Sequence, residues 1–327
     1  MTTIPLSPVD TVRITVLMDN VTDPLLFPTQ HVERMTWLHH LAKPRAASTL
    51  MDDGLPDALI AEPGFSALVR VTSGGRERVI LFDAGVTPSG VVENMRRLEL
   101  SPRDIETIVL SHGHWDHVAG MEGVAKELGR RNLPVLIHPD FWHRRRIAIP
   151  GLEPGELPAT SRSALEGVGF EIVEERQPSF LLDGSVLVTG EVDRTTPFET
   201  GFQGHEAHLH GSWEPDPLIL DDQALVMRLA DRGLVILTGC GHAGIVNVVR
   251  HAQRLTGETR VAAVIGGFHL SGPMFEPMIE PTVAAFDEFR PELLMPAHCT
   301  GWKAVHRLAG RYPDAFVQSA VGTTVSL

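Results

Sequence analysis

Three histidines and one aspartate lie within six residues, directly after an apolar run with the pattern of a buried β-strand. The stretch is Ile108-Val-Leu-Ser-His112-Gly-His114-Trp-Asp116-His117. Imidazole nitrogens and carboxylate oxygens are ligands that borderline divalent cations favour, and a strand end is a rigid base for them. The alternative is a strand-to-helix turn in which Asp116 caps the next helix, but a simple cap needs no histidines. The sequence therefore predicts a metal site at the tip of a strand.

The composition limits the classes of partner. Acidic residues outnumber lysine and arginine by 41 to 28, and a formal charge of −13 repels phosphate backbones and anionic lipid surfaces. No apolar run approaches the roughly 18 to 20 residues that span a bilayer, and the first residues lack the pattern of a signal peptide. We therefore expect a cytoplasmic enzyme with no nucleic-acid partner and no membrane partner.

The order of the apolar runs predicts an α/β fold. Short strand-like runs at 12–18, 66–71, 79–82 and 107–110 precede a hairpin around Asp183-Gly184, and strands alternate with helical patterns from 234 to 295. A helix is predicted over 116–128. Two β-rich halves favour two facing mixed β-sheets with helices on the outer faces, in a single domain over 1–327. The segments 20–63 and 141–217 contain long irregular stretches, which predict lids or inserts.

The motif Ser-His-Gly-His-Trp-Asp-His resembles the HxHxDH signature of the metallo-β-lactamase superfamily, and Leu81-Phe-Asp83-Ala-Gly85 resembles its strand-end aspartate motif. Further stretches are similar to the dihydropterin-ribofuranosylaminobenzene-phosphate synthase-like branch. They include Gly64-Phe-Ser-Ala-Leu-Val69, Thr238-Gly-Cys-Gly-His-Ala-Gly-Ile-Val-Asn247, Ile265-Gly-Gly-Phe-His-Leu270 and Pro296-Ala-His-Cys-Thr-Gly301. One departure is Glu62-Pro63, because the branch usually carries a histidine after that glutamate. The resemblance implies an αββα sandwich.

The resemblance also implies a binuclear metal centre. In the superfamily, the residues that match His112 and His114 hold one metal, and those that match Asp116 and His117 hold the second. Two divalent cations are therefore expected, with zinc favoured and iron or manganese as alternatives. Asp83 is expected to accept the far N–H of one ligand imidazole, as metal-bound histidines generally require.

Later residues must complete both halves of the centre. His298 matches the last histidine of the superfamily pattern, with a capping or core histidine as the alternative. Cys240 occupies the position of the bridging aspartate or cysteine, although a free cysteine also packs as a small hydrophobe. His242 follows two residues later and could replace or accompany Cys240. The superfamily's usual third histidine, in a loop before the strand at 224–229, is missing.

Other polar residues have two interpretations each. Glu191, Asp221 and Asp222 could serve as oxygen ligands, or as solvated turn residues. His269 ends a strand and suits either a substrate or metal role, or a hydrogen bond to the backbone. Surface or lid roles are favoured for three loop histidines, His205, His208 and His210. For Arg145 and its arginine neighbours, an exposed helix face is favoured over a site that binds an anion.

These features predict a metal-dependent hydrolase that attacks an ester, amide or phosphoester of a small anionic molecule with metal-activated water. Asp116 would orient that water and pass a proton to the leaving group. The alternatives are a pterin-type transferase or synthase that releases diphosphate, and a di-iron redox enzyme. The expected partner is a small-molecule substrate, and a homo-oligomeric state stays open.

Overall fold

A computed structural model describes residues 3–42, 46–129 and 132–327, so residues 43–45 of the predicted insert 20–63 lie outside it. The helices are α1 Trp37–Ala42, α2 Gly90–Arg97, α3 Met121–Leu128, α4 Arg162–Gly167, α5 Ile245–Thr256, α6 Ile279–Phe289 and α7 Trp302–Arg311. The strands are β1 Thr11–Met18, β2 Val32–Glu33, β3 Ser66–Ser73, β4 Arg76–Phe82, β5 Thr107–Val109, β6 Leu133–Ile137, β7 Arg145–Ile147, β8 Gly155–Glu156, β9 Phe170–Glu174, β10 Ser179–Leu181, β11 Val186–Val188, β12 His205–Leu209, β13 Ser212–Pro215, β14 Ala224–Leu229, β15 Gly233–Thr238, β16 Val261–Gly267, β17 Leu293–Ala297 and β18 Thr324–Ser326.

Two large mixed sheets form the centre of the fold. One has eight strands in the order β2-β18-β1-β3-β4-β5-β6-β9, and the other has six in the order β10-β11-β14-β15-β16-β17. Side chains alternate between the two faces of a strand, so each strand contributes to two cores. In β14, Leu225 and Met227 belong to the core between the sheets, whereas Val226 belongs to the core on the outer face.

Helices cover the outer face of each sheet. The outer core of the six-stranded sheet includes residues of α5, α6 and α7, among them Val248, Phe286 and Leu308. The outer core of the eight-stranded sheet includes Met95 of α2 and Val124 of α3. The layers therefore follow the order helix, sheet, sheet, helix, and the predicted αββα sandwich is confirmed. No helix in the described ranges combines the length and apolar character needed to cross a membrane.

Parallel strands bring the candidate residues to one end of the sandwich. Strands β4, β5 and β6 run parallel in one sheet, as do β15, β16 and β17 in the other. Asp83 directly follows β4, and Cys240, His269 and His298 follow the three parallel strands of the second sheet. His117 Nε2 lies 3.2 Å from Cys240 Sγ, so the strand ends of the two sheets meet.

A third sheet, in the order β13-β12-β7-β8, lies within the predicted insert 141–217. The sequence patterns missed it, because strands of two to five residues are too short to display an alternating pattern. The exposed helix face considered for Arg145 and its neighbours is wrong, since Arg145 and Arg146 lie on β7.

The helix predicted over 116–128 is shorter than expected. Residues Trp115–His117 form a 3₁₀ turn, and α3 begins only at Met121. A Cβ atom at Gly120 would lie 1.8 Å from the carbonyl oxygen of Ala84, so this close contact requires glycine just before the helix. Asp116 therefore does not cap α3.

Candidate metal centre

Three buried histidines form the first group of potential ligands. His112 Nε2 lies 2.9 Å from His114 Nδ1, and the ring of His242 lies 4.8 and 5.0 Å from their rings. One nitrogen of each lies within 4.8 Å of the others. His114 is the most exposed of the three, at only 8%. The two histidines of the strand-end turn and one from after β15 can thus share a cation.

The second group consists of Asp116, His117 and His298, whose ligand atoms also lie within 4.8 Å of one another. Asp116 Oδ2 is 3.3 Å from His298 Nε2 and 3.7 Å from His117 Nε2. Cys240 connects the groups, because its Sγ lies within 4.8 Å of ligand atoms of both His112 and His117. The structure therefore brings together all seven residues that the sequence predicted as metal ligands.

The protonation of the first group suits a cation. Burial, followed by the charges of neighbouring groups, lowers the pKa of His112, His114 and His242 well below the usual range, so their rings are neutral. Among the described residues, His242 Nε2 and Asp222 Oδ1 are buried without a hydrogen-bond partner. Unpartnered buried polar atoms cost free energy, which a bound ion would offset. Imidazole, carboxylate and thiolate donors fit the predicted divalent cations.

The second group carries a proton that a cation would displace. Burial disfavours a charge on His117, but Asp116 and Asp83 outweigh burial and raise the pKa of His117 to about 9. Burial likewise raises the pKa of Asp116, but His117 and His298 lower it to about 2. Asp116 is therefore ionised, and a cation that binds His117 releases a proton, as metal binding to histidine generally does.

Asp83 orients two of the candidate ligand histidines. Its Oδ2 lies 2.7 Å from His117 Nδ1, and its two oxygens accept hydrogen bonds from the backbone N–H and hydroxyl of Ser111 at 2.6 and 2.8 Å. The Ser111 hydroxyl is in turn 2.9 Å from His112 Nδ1. Because a carboxylate only accepts, His117 carries a proton on Nδ1 toward Asp83, and the proton that a cation would displace is the one on Nε2, which faces the centre.

Arg145 and Asp221 support the turn between His112 and His114 from behind. Asp221 accepts a hydrogen bond from the Gly113 N–H at 2.8 Å and another from Arg145 at 2.7 Å. Arg145 and Asp221 are almost fully buried, so this arginine is not presented to a substrate. A Cβ atom at Gly113 would lie 2.1 Å from the carbonyl oxygen of Phe141, which leaves room only for glycine.

Asp221 is one of three acidic residues predicted as possible oxygen ligands, and the other two, Asp222 and Glu191, have different positions. Asp222 accepts a hydrogen bond from the His242 N–H and lies 3.6 Å from His112 Nδ1. Burial and the charge of Asp221 raise the pKa of Asp222 to about 7. Glu191 lies elsewhere, 3.3 Å from His138 and paired with Arg176. The structure therefore does not bring Glu191 to the centre.

The positions of the other histidines agree with the predicted roles in some cases and not in others. The ring of His269 lies 4.2 Å from that of His242, and His269 groups with Cys240 and Cys299 within 4.8 Å. The prediction of a surface or lid role is wrong for His205, which is fully buried with Nε2 3.0 Å from His114 Nε2. His210, with 85% of its side chain exposed, lies on the surface.

The sequence is similar to one protein family and to two proteins of a single organism. The family model described as the metallo-beta-lactamase superfamily matches residues 59–250. A 7,8-dihydropterin-6-methyl-4-(beta-D-ribofuranosyl)-aminobenzene-5'-phosphate synthase of Methanocaldococcus jannaschii is 29% identical over 283 residues, covering 85% of this chain and 95% of that protein. An uncharacterised protein of the same organism is 30% identical over 280 residues, covering 85% and 98%.

Two solved structures share the fold. Tm1679, described as a metal-dependent hydrolase of the beta-lactamase superfamily, aligns with a TM-score of 0.69 and 24% identity, covering 97% of this chain and 98% of that one. The metallo-beta-lactamase fold protein YhfI from Bacillus subtilis aligns with a TM-score of 0.51 and 12% identity, covering 97% and 100%. From its motif, its fold and the match over residues 59–250, the chain belongs to the metallo-β-lactamase superfamily.

Proposed function

We propose that this chain is a metal-dependent hydrolase that cleaves an ester, amide or phosphoester of a small anionic molecule. The observation that carries the proposal is the pair of adjacent ligand groups connected by Cys240. His112, His114 and His242 would hold one divalent cation, and Asp116, His117 and His298 the other. When bound, two such cations, zinc being favoured, supply Lewis acidity and lower the pKa of water towards about 7.

Asp116 is the residue best suited to move the proton. Its carboxylate is ionised, and Oδ2 is held between His117 and His298 at 3.7 and 3.3 Å. From this position Oδ2 can accept the proton of the attacking water and donate it to the leaving group. No side-chain nucleophile is needed for this reaction class.

The charge of the centre favours an anionic substrate. Five of the seven predicted ligands are imidazoles, and negative charge would come only from Asp116 and from Cys240 once a cation has displaced the proton of its thiol. Two divalent cations would therefore give these seven ligands a net positive charge, within a chain whose formal charge is −13. A local positive potential attracts small anions even when the whole protein is acidic.

A synthase reaction is the second candidate. The supporting observation is the relative named a synthase, of which this chain covers 95% at 29% identity. The reaction would join a pterin diphosphate to an aminobenzene ribose phosphate with release of diphosphate. Shared fold alone does not choose between hydrolysis and this transfer.

One reconstitution experiment tests both candidates. We expect the chain to bind about two equivalents of Zn²⁺, measured by plasma mass spectrometry, and to hydrolyse at least one class in a panel of esters, lactones, amides and phosphoesters. Chelation should abolish turnover, and added Zn²⁺ should restore it.

Diphosphate release that requires both pterin diphosphate and the aminobenzene substrate would instead establish the synthase. If the chain purified without oxygen held iron tightly and hydrolysed none of the compounds in the panel, the redox alternative would be favoured. A chain that binds no cation would refute the proposal.

A further inference from the structure

We infer that His205 is a positioning residue that fixes the tautomer and ring orientation of His114, an inference that rests on the proposed function. His205 begins β12, in the small third sheet. Its ring is fully buried, with Nε2 3.0 Å from His114 Nε2 and Nδ1 2.9 Å from the carbonyl oxygen of Asp216. Both ring nitrogens of His205 therefore have a partner.

The hydrogen-bond partners determine where the protons lie. A carbonyl oxygen only accepts, so in the tautomer that this contact selects, His205 carries its proton on Nδ1 and donates it to the carbonyl oxygen of Asp216. Nε2 of His205 is then an acceptor, and the proton between the two rings belongs to His114 Nε2. The lone pair of His114 is thereby left on Nδ1, the atom that lies 2.9 Å from His112 Nε2.

His114 thus needs the opposite tautomer from its neighbours. Asp83 and Ser111 contact Nδ1 of His117 and His112, and leave Nε2 of each free for a cation. Neither contacts the ring of His114. Without His205, the His114 proton could move to Nδ1, and an imidazole protonated there cannot ligate through that atom.

The same small sheet supports the metal-binding turn at a second point. Ala207 of β12 pairs with Arg145 of β7, and Arg145 holds Asp221, which accepts the Gly113 N–H. One sheet therefore fixes the ring of His114 through His205 and the backbone beside it through Arg145. The role of this sheet in the proposed enzyme is to hold the His112–His114 turn in its ligating conformation.

Removal of the His205 ring is expected to weaken metal binding. In His205→Ala, the Zn²⁺ affinity, measured by competition with a chelating dye, should fall about 10- to 100-fold, the usual cost of losing an outer partner of a ligand histidine. His205→Gln should recover much of the loss, because its amide oxygen can accept from His114 while its NH₂ group donates to Asp216. His208→Ala is the matched control, since His208 lies on the same strand but contacts Trp213. Its affinity should match the wild type.

A second measurement reports the tautomer of the His114 ring directly and does not depend on catalytic activity. In long-range ¹H–¹⁵N spectra of histidine-labelled protein, His114 should be protonated on Nε2 in the wild type, with and without Zn²⁺. The Nε2 tautomer signal of His114 should be lost in His205→Ala and retained in His208→Ala. Wild-type protein with His114 protonated on Nδ1, or unchanged affinity in a folded His205→Ala, would overturn the inference. If the wild type bound no cation, the proposed function would fail, while the spectrum without metal would still decide the tautomer.

Discussion

If the proposed pair of cations binds, replacing His242 by alanine is expected to remove one of them and to lower kcat/KM at least about a hundredfold. A Lewis-acid cation contributes several kcal/mol to transition-state stabilisation, and each 1.4 kcal/mol corresponds to about a tenfold change in rate. His242 is buried, and its Nε2 has no hydrogen-bond partner among the described residues. Its loss leaves only His112 and His114 in the first group.

The measurement combines metal content with kinetics. His242→Ala should contain about one Zn²⁺ per chain, because Asp116, His117 and His298 are untouched. His210→Ala is the control, since its side chain is 85% exposed and lies outside the centre. Two tightly held cations in His242→Ala would show that another residue completes the first group, and Asp222, with a carboxylate oxygen 3.6 Å from His112, would be the first candidate.

The position of His242 could be predicted from the sequence only in part. The usual third histidine is missing before β14, and in the proposed centre His242, from the loop after β15, would take its place. Spacing along the chain placed Cys240 and His242 in the same cleft. The spacing could not assign Cys240 and His242 to different ligand groups. That assignment depends on how Gly241 and Gly244, both at positive φ, turn the loop. Only the structure groups His242 with His112 and His114 and links Cys240 to His117.

The motif residues were predictable because their arrangement is local. His112, His114, Asp116 and His117 lie on one short turn, and a strand directly before it limits where their side chains can point. The main strands were predictable for a related reason, since long apolar runs bounded by turns identify buried strands. Their antiparallel or parallel pairing then follows from the connections, which yields the sandwich.

The supporting contacts were not predictable, because they join distant parts of the chain. His205 and His114 are 91 residues apart, and Arg145 and Asp221 are 76 apart. A histidine among glycines and polar residues has the local pattern of a surface loop, and three consecutive arginines have that of a solvated face. What buries both is the pairing of β7 with β12, strands of three and five residues.

Replacing Arg145 by alanine is expected to lower the free energy of unfolding by about 3 to 5 kcal/mol, the usual cost of leaving one partner of a buried ion pair uncompensated. Arg145 and Asp221 form such a pair at 2.7 Å, with side-chain exposures of 2% and 1%. The change should appear in urea unfolding of the metal-free chain. Arg144→Ala is the matched control, because its pair with Glu156 is about half exposed and contributes about 1 kcal/mol or less.

Removal of both partners separates stability from metal binding. In the double variant Arg145→Met with Asp221→Leu no charge is left buried, so much of the lost stability should return. The Gly113 N–H still loses its acceptor, and a buried unpartnered N–H costs about 1 to 3 kcal/mol. Zn²⁺ affinity should therefore stay below that of the wild type even where stability recovers. If affinity recovered together with stability, Asp221 would act on the fold alone, and the turn that carries His112 and His114 would hold its shape without it.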